Sequence, residues 1–314
     1  MLGTIKRGFF VGLKTTWTLG KIIFPVTLLV TLLQYTPVLD WVIRWISPLM
    51  GWFGLSGDAT IPLVLGNFLN LYAGIGAILT LDLTVKEVFI LAVMLSFSHN
   101  MFIESTVAAK VGIKMWIIVV VRLGLALVSA FVINLVWSGG GELAKYGFVP
   151  SAGEKASGWF NIFVEGVEKA SIGIIQLAVI VIPLMIGIQI LKDLKWLDVF
   201  SRWMSPITRA LGMKENTSTT LAAGIMFGLA FGAGVMIQAV KEDNVSKKDL
   251  TLAFIFLVAC HAVIEDTLIF IPLGIPVLPL LLIRLVTATV LTMIVAFIWK
   301  RVERNSRKEP LYGN

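Results

Sequence analysis

The sequence contains one pattern twice, and this internal duplication limits the possible folds more than any other feature. An offset of 158 residues aligns Pro25 with Pro183 and the Ser-Pro pair at 47–48 with the pair at 205–206. Four additional residues then enter the second copy, and an offset of 162 aligns His99 with His261, the only two histidines in the chain. Such long-range self-similarity is the signature of a repeated structural element. We therefore interpret the chain as two copies of one membrane-embedded repeat.

The duplication divides the chain into four parts. The first repeat covers residues 1–138, and the second covers residues 164–300. A polar linker with several glycines joins them over residues 139–163, and a basic tail follows over residues 301–314. Polar, glycine-containing stretches between apolar segments are typical of exposed connections.

The apolar character of both copies excludes a water-soluble fold. Hydrophobic residues make up 57% of the chain and charged residues 14%, against about 25% charged in soluble domains. Several apolar runs approach the length of about 20 residues that crosses a bilayer as a helix; they cover residues 17–33, 115–137, 173–191 and 279–299. The sequence predicts an all-α polytopic membrane protein whose main partner is the lipid bilayer. The net charge of +7 is interpreted as lysine and arginine on the cytoplasmic side, so no nucleic acid is expected.

The distribution of basic residues predicts that the two copies are inverted. Lysine and arginine are concentrated near both termini, whereas the two lysines of the linker are balanced by two glutamates. Both termini are thus expected in the cytoplasm and the linker outside, so each copy crosses the membrane an odd number of times. Equivalent stretches also differ in charge: residues 36–57 contain one basic residue, and residues 192–215 contain five.

Each copy is expected to contain the same order of elements, with about three spanning helices. The predicted elements are a spanning helix (17–35 and 171–191), an amphipathic interfacial helix broken at Ser-Pro (38–50 and 196–208), a Gly-rich segment (60–80 and 217–240), a helix that starts at a capping box (Thr84 and Ser246) and runs to the histidine, a short irregular piece, and a last spanning helix. The Gly-rich segment is predicted to re-enter as a hairpin, which keeps the number of crossings odd. A tight helix-packing face of small residues is the alternative.

Polar residues follow each histidine in the same order. The first copy has His99, Asn100, Glu104 and Ser105, and the second has His261, Glu265, Asp266 and Thr267. Alignment without gaps places Glu104 against Asp266, so each copy reads histidine, four residues, acid, hydroxyl, and Glu265 is an additional acid. Ionisable groups at membrane depth are costly and usually face a cavity or a partner. We expect inverted copies to bring both clusters into one polar centre near the bilayer midplane.

The roles of these residues have alternatives. Each histidine could exchange a proton near neutral pH, bind a metal together with acids (candidates His99, Glu104, His261 and Glu265), or form structural hydrogen bonds. Arg122 and Arg284 lie inside the last spanning helices, where they could pair with an anionic substrate or with the acids. They could equally hold the repeats together or extend to the lipid headgroups. Asn67, Asn70 and Asn100 are candidate hydrogen-bonding selectors.

Motifs of intramembrane or metal-dependent catalysis are lacking. The sequence contains no HExxH zinc motif, no GxSxG nucleophile elbow and no Walker loop. The single cysteine, Cys260, excludes an internal disulfide. Neither enzymatic activity nor a cofactor is expected.

A Gly-rich hairpin, a short capped helix and the endings SHNMFIEST and CHAVIEDT together resemble the bacterial nucleoside-recognition, or Gate-domain, membrane proteins. That family includes the spore maturation membrane proteins and is related to the membrane domains of ferrous-iron and concentrative nucleoside transporters. The resemblance covers nearly the whole chain as two Gate copies, and it implies inverted hairpin-and-helix repeats around a central site. The chain lacks the GTPase domain of the iron transporters and the additional scaffold helices of the nucleoside carriers. A homo-oligomer is therefore one way to supply the missing support.

Three functions are compatible with this sequence. The first is a secondary transporter of the cytoplasmic membrane of a bacterium or archaeon for a small polar or anionic solute, nucleoside-like by resemblance. The second is a permease for a divalent metal or a proton-coupled ion. The third is a membrane scaffold that transports nothing and whose polar centre holds the repeats together.

Overall fold

A computed structural model describes residues 2–37, 48–146 and 158–306. Within these ranges the regular structure is helical, apart from one isolated pairing of Thr84 with Leu143. The helices are α1 (Leu2–Gln34), α2 (Thr60–Phe68), α3 (Leu71–Ile78), α4 (Val85–Ser98), α5 (Met101–Lys110), α6 (Met115–Val136), α7 (Trp159–Asp193), α8 (Trp196–Ala210), α9 (Ser218–Glu242), α10 (Lys247–Ala259), α11 (Glu265–Leu268) and α12 (Val277–Ser306). The expected all-α fold is confirmed.

Three segments of the described chain are long and apolar enough to cross a bilayer. They are Val85–Lys110, Met115–Val136 and Val277–Arg304. The most apolar stretch of the first is 83% buried inside the protein, whereas the corresponding stretches of the other two are 22% buried. The first segment is therefore surrounded by protein, and the other two present apolar side chains outward, as helices in contact with lipid do.

The chain forms two compact units, and each contains parts of both sequence copies. Unit 1 consists of Met1–Ile103, Arg122–Leu194 and Ile264–Leu281, and unit 2 consists of Glu104–Val121, Lys195–Val263 and Leu282–Asn314. Unit 1 thus combines the first histidine with the segment that follows the second one. Unit 2 combines the second histidine with the segment that follows the first. The two units do not coincide with the two sequence repeats, so the predicted repeat boundaries stay a prediction.

In unit 1, the first helices of the two copies, α1 and α7, pack against each other in antiparallel directions. Gly8 near the start of α1 faces Ile186 near the end of α7, while Gly20 faces Ile174. A Cβ atom at Gly8 would lie only 2.6 Å from the Cα atom of Ile186. Small residues at such positions let two helix backbones approach closely inside a membrane. Both helices extend beyond the spans predicted from the sequence.

Both Gly-rich segments fold back on themselves. In unit 1, a break separates α2 from α3, and a Cβ atom at Gly74 would lie 3.0 Å from the carbonyl oxygen of Pro62. In unit 2, α9 changes direction at Gly228, which has φ 75° and ψ 176°. Beyond that kink, a Cβ atom at Gly232 would lie 3.1 Å from the carbonyl oxygen of Ala223. Each segment is therefore a hairpin, and its re-entry into the bilayer remains a prediction.

The helices that lead to the histidines begin at the predicted caps. The Thr84 hydroxyl accepts a hydrogen bond from the backbone N–H of Glu87, and the Glu87 carboxylate accepts one from the backbone N–H of Thr84 at 2.9 Å. The Ser246 hydroxyl accepts from the backbone N–H of Asp249 at 3.1 Å. Such caps satisfy the N–H groups that have no partner in the first helical turn. They fix where α4 and α10 start, and hence where each histidine falls.

The prediction of an irregular piece after each histidine is wrong for the first copy. There Asn100 has φ 51° and interrupts the helix, but α5 starts at the next residue and continues for 10 residues. The sequence of α5 contains neither proline nor glycine, so a helix can restart. The second copy contains Pro272 in the equivalent stretch and forms only the short α11 and a turn at Ile271–Leu273.

The interfacial helix of the second copy is continuous. Helix α8 runs through Pro206, so the predicted break at Ser-Pro is wrong. Proline removes one hydrogen bond to the carbonyl group four residues earlier. That carbonyl belongs to Arg202, which is exposed, so the loss is tolerated. Most of the first interfacial helix, predicted at 38–50, lies outside the described residues.

Candidate functional site

Each histidine lies at the C-terminal end of an apolar helix and is almost completely buried. His99 is 2% exposed and His261 is 1% exposed. The Nδ1 atom of His99 lies 2.7 Å from the Leu95 carbonyl oxygen, and Nδ1 of His261 lies 2.7 Å from the Leu257 carbonyl oxygen. Because a carbonyl oxygen only accepts, Nδ1 carries the hydrogen atom in both rings. The Nε2 atom is then the position at which each ring can gain or lose a proton.

The acid near each histidine comes from the other sequence copy. In unit 2, Nε2 of His261 lies 3.3 Å from Oε2 of Glu104, and in unit 1, Nε2 of His99 lies 3.9 Å from Oδ2 of Asp266. Glu104 is 3% exposed and Asp266 is 5% exposed. The alignment that matched Glu104 with Asp266 thus identified two acids in equivalent surroundings.

In unit 2, the imidazole and the carboxylate are within ion-pair distance. Nε2 of His261 lies 3.3 Å from Oε2 of Glu104, so a protonated imidazole would form a buried ion pair with this carboxylate. An unpaired charge in an apolar interior is costly, so each group favours the charged form of the other.

Unit 1 contains the additional acid Glu265. It also contains Tyr72, a residue that the sequence did not identify as a candidate. The Tyr72 hydroxyl donates a hydrogen bond to Oε1 of Glu265 at 2.5 Å, and both residues are buried. Alignment places Ala230 and Ile103 at the equivalent positions, so the second set lacks this pair. The sequence feature that could have identified Tyr72 is the position of its polar phenol group within a Gly-rich apolar segment. Glu265, one of the candidate metal ligands, contacts Tyr72. The acid near His99 is Asp266, which was not one of those candidates.

The two membrane arginines bind backbone carbonyl groups at the ends of the histidine helices. In unit 1, Arg122 donates from Nε to the carbonyl oxygen of Phe97 at 2.7 Å and from Nη2 to that of His99. In unit 2, Arg284 donates from Nη2 to the carbonyl oxygen of His261 at 2.6 Å. Both side chains are 0% exposed, so they do not extend to the lipid headgroups. The carbonyl end of a helix carries partial negative charge, which a guanidinium group stabilises.

The three asparagines are close to backbone breaks. Asn70 caps α3 by accepting from the backbone N–H of Ala73 at 2.9 Å, and Asn67 donates from Nδ2 to the Leu63 carbonyl oxygen at 2.7 Å. The backbone N–H of Asn100 donates to the Gly66 carbonyl oxygen at 3.0 Å, and in unit 2 that of Ala262 donates to the Gly224 carbonyl oxygen at 3.1 Å. Each hairpin therefore holds the chain directly after its histidine.

The hydroxyl that follows each acid is buried and available for a further hydrogen bond. Ser105 is 0% exposed and Thr267 is 7% exposed. Within the described ranges, neither Oγ of Ser105 nor Oγ1 of Thr267 has a hydrogen-bond partner. A buried polar group without a partner costs about 1–3 kcal/mol, which is a cost that a bound solute or water would remove. Each hydroxyl adjoins an acid that faces a histidine.

Comparison with known proteins gives a family and a relative. The model of the Gate family, described as nucleoside recognition, matches residues 16–115 and 174–297. The chain is similar to "Uncharacterized membrane protein YvoD" of Bacillus subtilis (strain 168), with 67% identity over 294 residues, which is 94% of each chain. No solved structure matches the chain.

Proposed function

Because the chain belongs to the Gate family and is a membrane protein, we propose that it is a secondary permease for a small polar or anionic solute. One observation carries this proposal. In each compact unit, a buried histidine faces a buried acid whose neighbouring hydroxyl has no hydrogen-bond partner in the described part of the chain. Ionisable groups are retained in an apolar interior mainly where function needs them. The family description favours a solute with nucleoside-like hydrogen-bonding groups.

The histidine–acid pairs suit a proton-exchanging role. We propose that, with hydrogen on Nδ1, the pair of His261 with Glu104 can hold one proton at or near Nε2. A solute that hydrogen-bonds to the carboxyl group would change which of the two groups holds that proton. Binding of the solute would in this way be linked to uptake or release of a proton.

We propose that each unit binds solute among the polar groups at its own helix break. The acids and hydroxyls would bind it directly, in unit 1 together with Asn100, and the arginine of each unit would keep its histidine helix in position. The proposed lining residues are His99, Asn100, Glu265, Asp266 and Thr267 in unit 1, and Glu104, Ser105 and His261 in unit 2. Asn67, which adjoins the break between α2 and α3, is a further candidate for contact with the solute.

The antiparallel packing of α1 and α7 supports an inverted, multi-pass topology. These helices occupy equivalent positions in the two copies and run in opposite directions within unit 1. Inverted repeats with interrupted helices are a common architecture of secondary transporters. We propose that both termini are cytoplasmic and that the two copies alternate access to the site.

A ligand screen on the purified protein tests the proposal. Melting temperature would be measured in detergent with uridine, adenosine, uracil, inorganic phosphate, malate and Mn²⁺. We expect one organic class to raise the melting temperature saturably, and the S105A and T267V variants to lose that shift. The matched control is T292V, which also removes a buried hydroxyl without a partner in the described ranges but lies on α12. It should retain the shift.

Uptake into proteoliposomes then separates binding from transport. H99A and H261A are expected to reduce uptake of the stabilising compound while folded protein remains in the membrane. Unchanged uptake in both single variants and the double variant would contradict the proposal. Stabilisation by Mn²⁺ alone would replace the solute with a divalent metal.

A scaffold that transports nothing is the second candidate. The observation in its favour is that both arginines and both Nδ1 atoms bind backbone carbonyl groups, as structural residues do. This function predicts that the same histidine variants lose thermal stability and that no compound in the screen restores it.

A further inference from the structure

Helix α8 in unit 2 has one buried face and one exposed apolar face. Met204 and Thr208 are 5% and 0% exposed and pack inside the unit. Trp203, Ile207 and Trp196 are 62%, 48% and 40% exposed. At 3.6 residues per turn, these three side chains fall within about 40° of one another around the helix axis. They form a continuous apolar strip on the outside of the unit.

A basic edge lies on another exposed side of α8, about 130° around the helix axis from the apolar strip. Arg202 and Arg209 are exposed and are seven residues apart, so they project within about 20° of each other. Arg209 Nη1 lies 2.9 Å from Oε1 of Glu215, with side chains 62% and 56% exposed. Such an exposed pair is worth little and leaves the guanidinium group able to bind another anion. Asp198 is the acidic residue on the same polar side of α8.

This arrangement of faces fits a helix that lies in the plane of the membrane surface. Apolar side chains enter the acyl boundary, while the arginines, which project away from them, remain at the level of the headgroups. Tryptophan is enriched at this depth because its ring is apolar with one polar N–H group. The guanidinium group binds phosphate through two parallel N–H donors.

The basic edge belongs to the second copy alone. Alignment matches Arg202 with Arg44, but it places Gly51 opposite Arg209 and Pro37 opposite Lys195. Only one of the two equivalent stretches is therefore strongly basic. Anionic phospholipids are enriched in the cytoplasmic leaflet and attract such segments. The difference in basic residues between the two stretches is explained if only the second stretch contacts the cytoplasmic leaflet.

We propose that α8 is a binding site for anionic phospholipid, with Arg202 and Arg209 on the headgroup phosphate and the strip of Trp196, Trp203 and Ile207 in the acyl boundary. This site is distinct from the histidine–acid pairs. Loss of lipid binding would therefore leave the solute-dependent melting shift of the proposed permease unchanged, and the two proposals can fail separately.

Native mass spectrometry of the full-length protein in detergent tests the site. Phosphatidylglycerol and phosphatidylcholine are titrated separately, and the dissociation constant of the first lipid adduct is measured. Wild type should prefer phosphatidylglycerol. R202Q/R209Q should bind it about 30-fold more weakly, a loss converted from about 1 kcal/mol per basic residue near an anionic membrane surface. The control K300Q/R301Q removes two exposed charges from the end of α12 and should change the constant less than threefold.

Several outcomes would overturn the site. They are equal weakening by the control, no preference for phosphatidylglycerol, and displacement of the lipid by inorganic phosphate at equal concentration. A change of oligomeric mass in R202Q/R209Q would instead assign the face to contact between copies of this chain. Because both arginines are exposed, the variants are expected to fold, and the single variants R202Q and R209Q provide independent measurements of the same loss.

Discussion

At the scale of single residues, the two arginines show how backbone carbonyl groups stabilise a buried charge. Arg122 and Arg284 each donate to a carbonyl oxygen at the point where a histidine helix ends. Those carbonyl groups lie at helix ends, where they have no intrahelical partner. The sequence showed that both arginines are inside apolar helices but not that backbone oxygen atoms would receive them.

Replacing Arg284 by methionine should therefore destabilise the protein. Loss of the bond to the His261 carbonyl oxygen leaves a buried acceptor without its donor, which costs about 1–3 kcal/mol. Unfolding in mixed detergent micelles measures the change. R301M, at an exposed position of the same helix, should stay within about 0.5 kcal/mol of wild type. Equal effects of the two substitutions would show that the carbonyl contact contributes no specific stability.

The two histidine–acid pairs should differ in coupling energy. Nε2 lies 3.3 Å from the carboxylate in the pair of His261 with Glu104, and 3.9 Å away in the pair of His99 with Asp266. Electrostatic attraction falls with distance, so a double-mutant cycle with H261Q and E104Q should give the larger value, about 1 kcal/mol or more. The cycle with H99Q and D266N is the comparison. A coupling near zero in both would mean that neither pair shares a proton.

The sequence identified these acids but not Tyr72. Equivalent register was sufficient to match Glu104 with Asp266, because the duplication copies a position together with its surroundings. The contact of Tyr72 with Glu265 joins residues separated by 193 positions and has no counterpart in the other copy. A contact that is long in sequence and unique to one copy leaves no periodic signal.

At the scale of elements, the hairpins depend on a backbone geometry that glycine provides. Gly228 has φ 75° and ψ 176° in the middle of α9, a region that is essentially restricted to glycine and costs other residues about 1–3 kcal/mol. A Cβ atom there would also lie 3.0 Å from Cβ of Ala262. Glycine content predicted the hairpins. It did not predict that the first would divide into two helices at Asn70.

G228A should lower the free energy of unfolding by about 1–3 kcal/mol, because alanine resists this backbone conformation. G234A in the same helix is the control, since an added Cβ atom meets no described atom within 4 Å there. Alanine in a regular helical position is expected to be neutral or to stabilise by up to about 1 kcal/mol. Thermal or denaturant unfolding in detergent would distinguish them. Similar values for both variants would exclude a special role for the kink.

At the scale of the whole molecule, the duplication predicted more than local propensity did. The repeat correctly indicated where equivalent histidines, acids and arginines occur. It could not show that each compact unit combines segments of both copies, because exchange of a segment leaves the residue pattern unchanged. The prediction of an irregular piece after His99 was wrong for a local reason. The second copy contains prolines that the first lacks, so equivalent positions need not form equivalent structure.

The predicted topology can be tested by cysteine accessibility. In a C260S background, S138C directly before the linker and R301C in the basic C-terminal part of α12 are both exposed positions. An impermeant maleimide applied to intact cells should label S138C, and it should label R301C only after permeabilisation, because basic residues are retained in the cytoplasm. Labelling of both positions from the same side would contradict inverted copies.

The origin of the acid beside each histidine has a consequence for ancestry. A single-copy chain with the same arrangement would need two identical polypeptides, with the carboxylate of each placed beside the imidazole of the other. In the present chain, each half depends on the other for the acid beside its histidine. Fragments 1–138 and 139–314, synthesised apart, would each lack the acid that faces their own histidine, and only co-expression would restore it. A substitution in one half therefore changes the surroundings of the histidine in the other half. We expect the sequences of the two halves to change together.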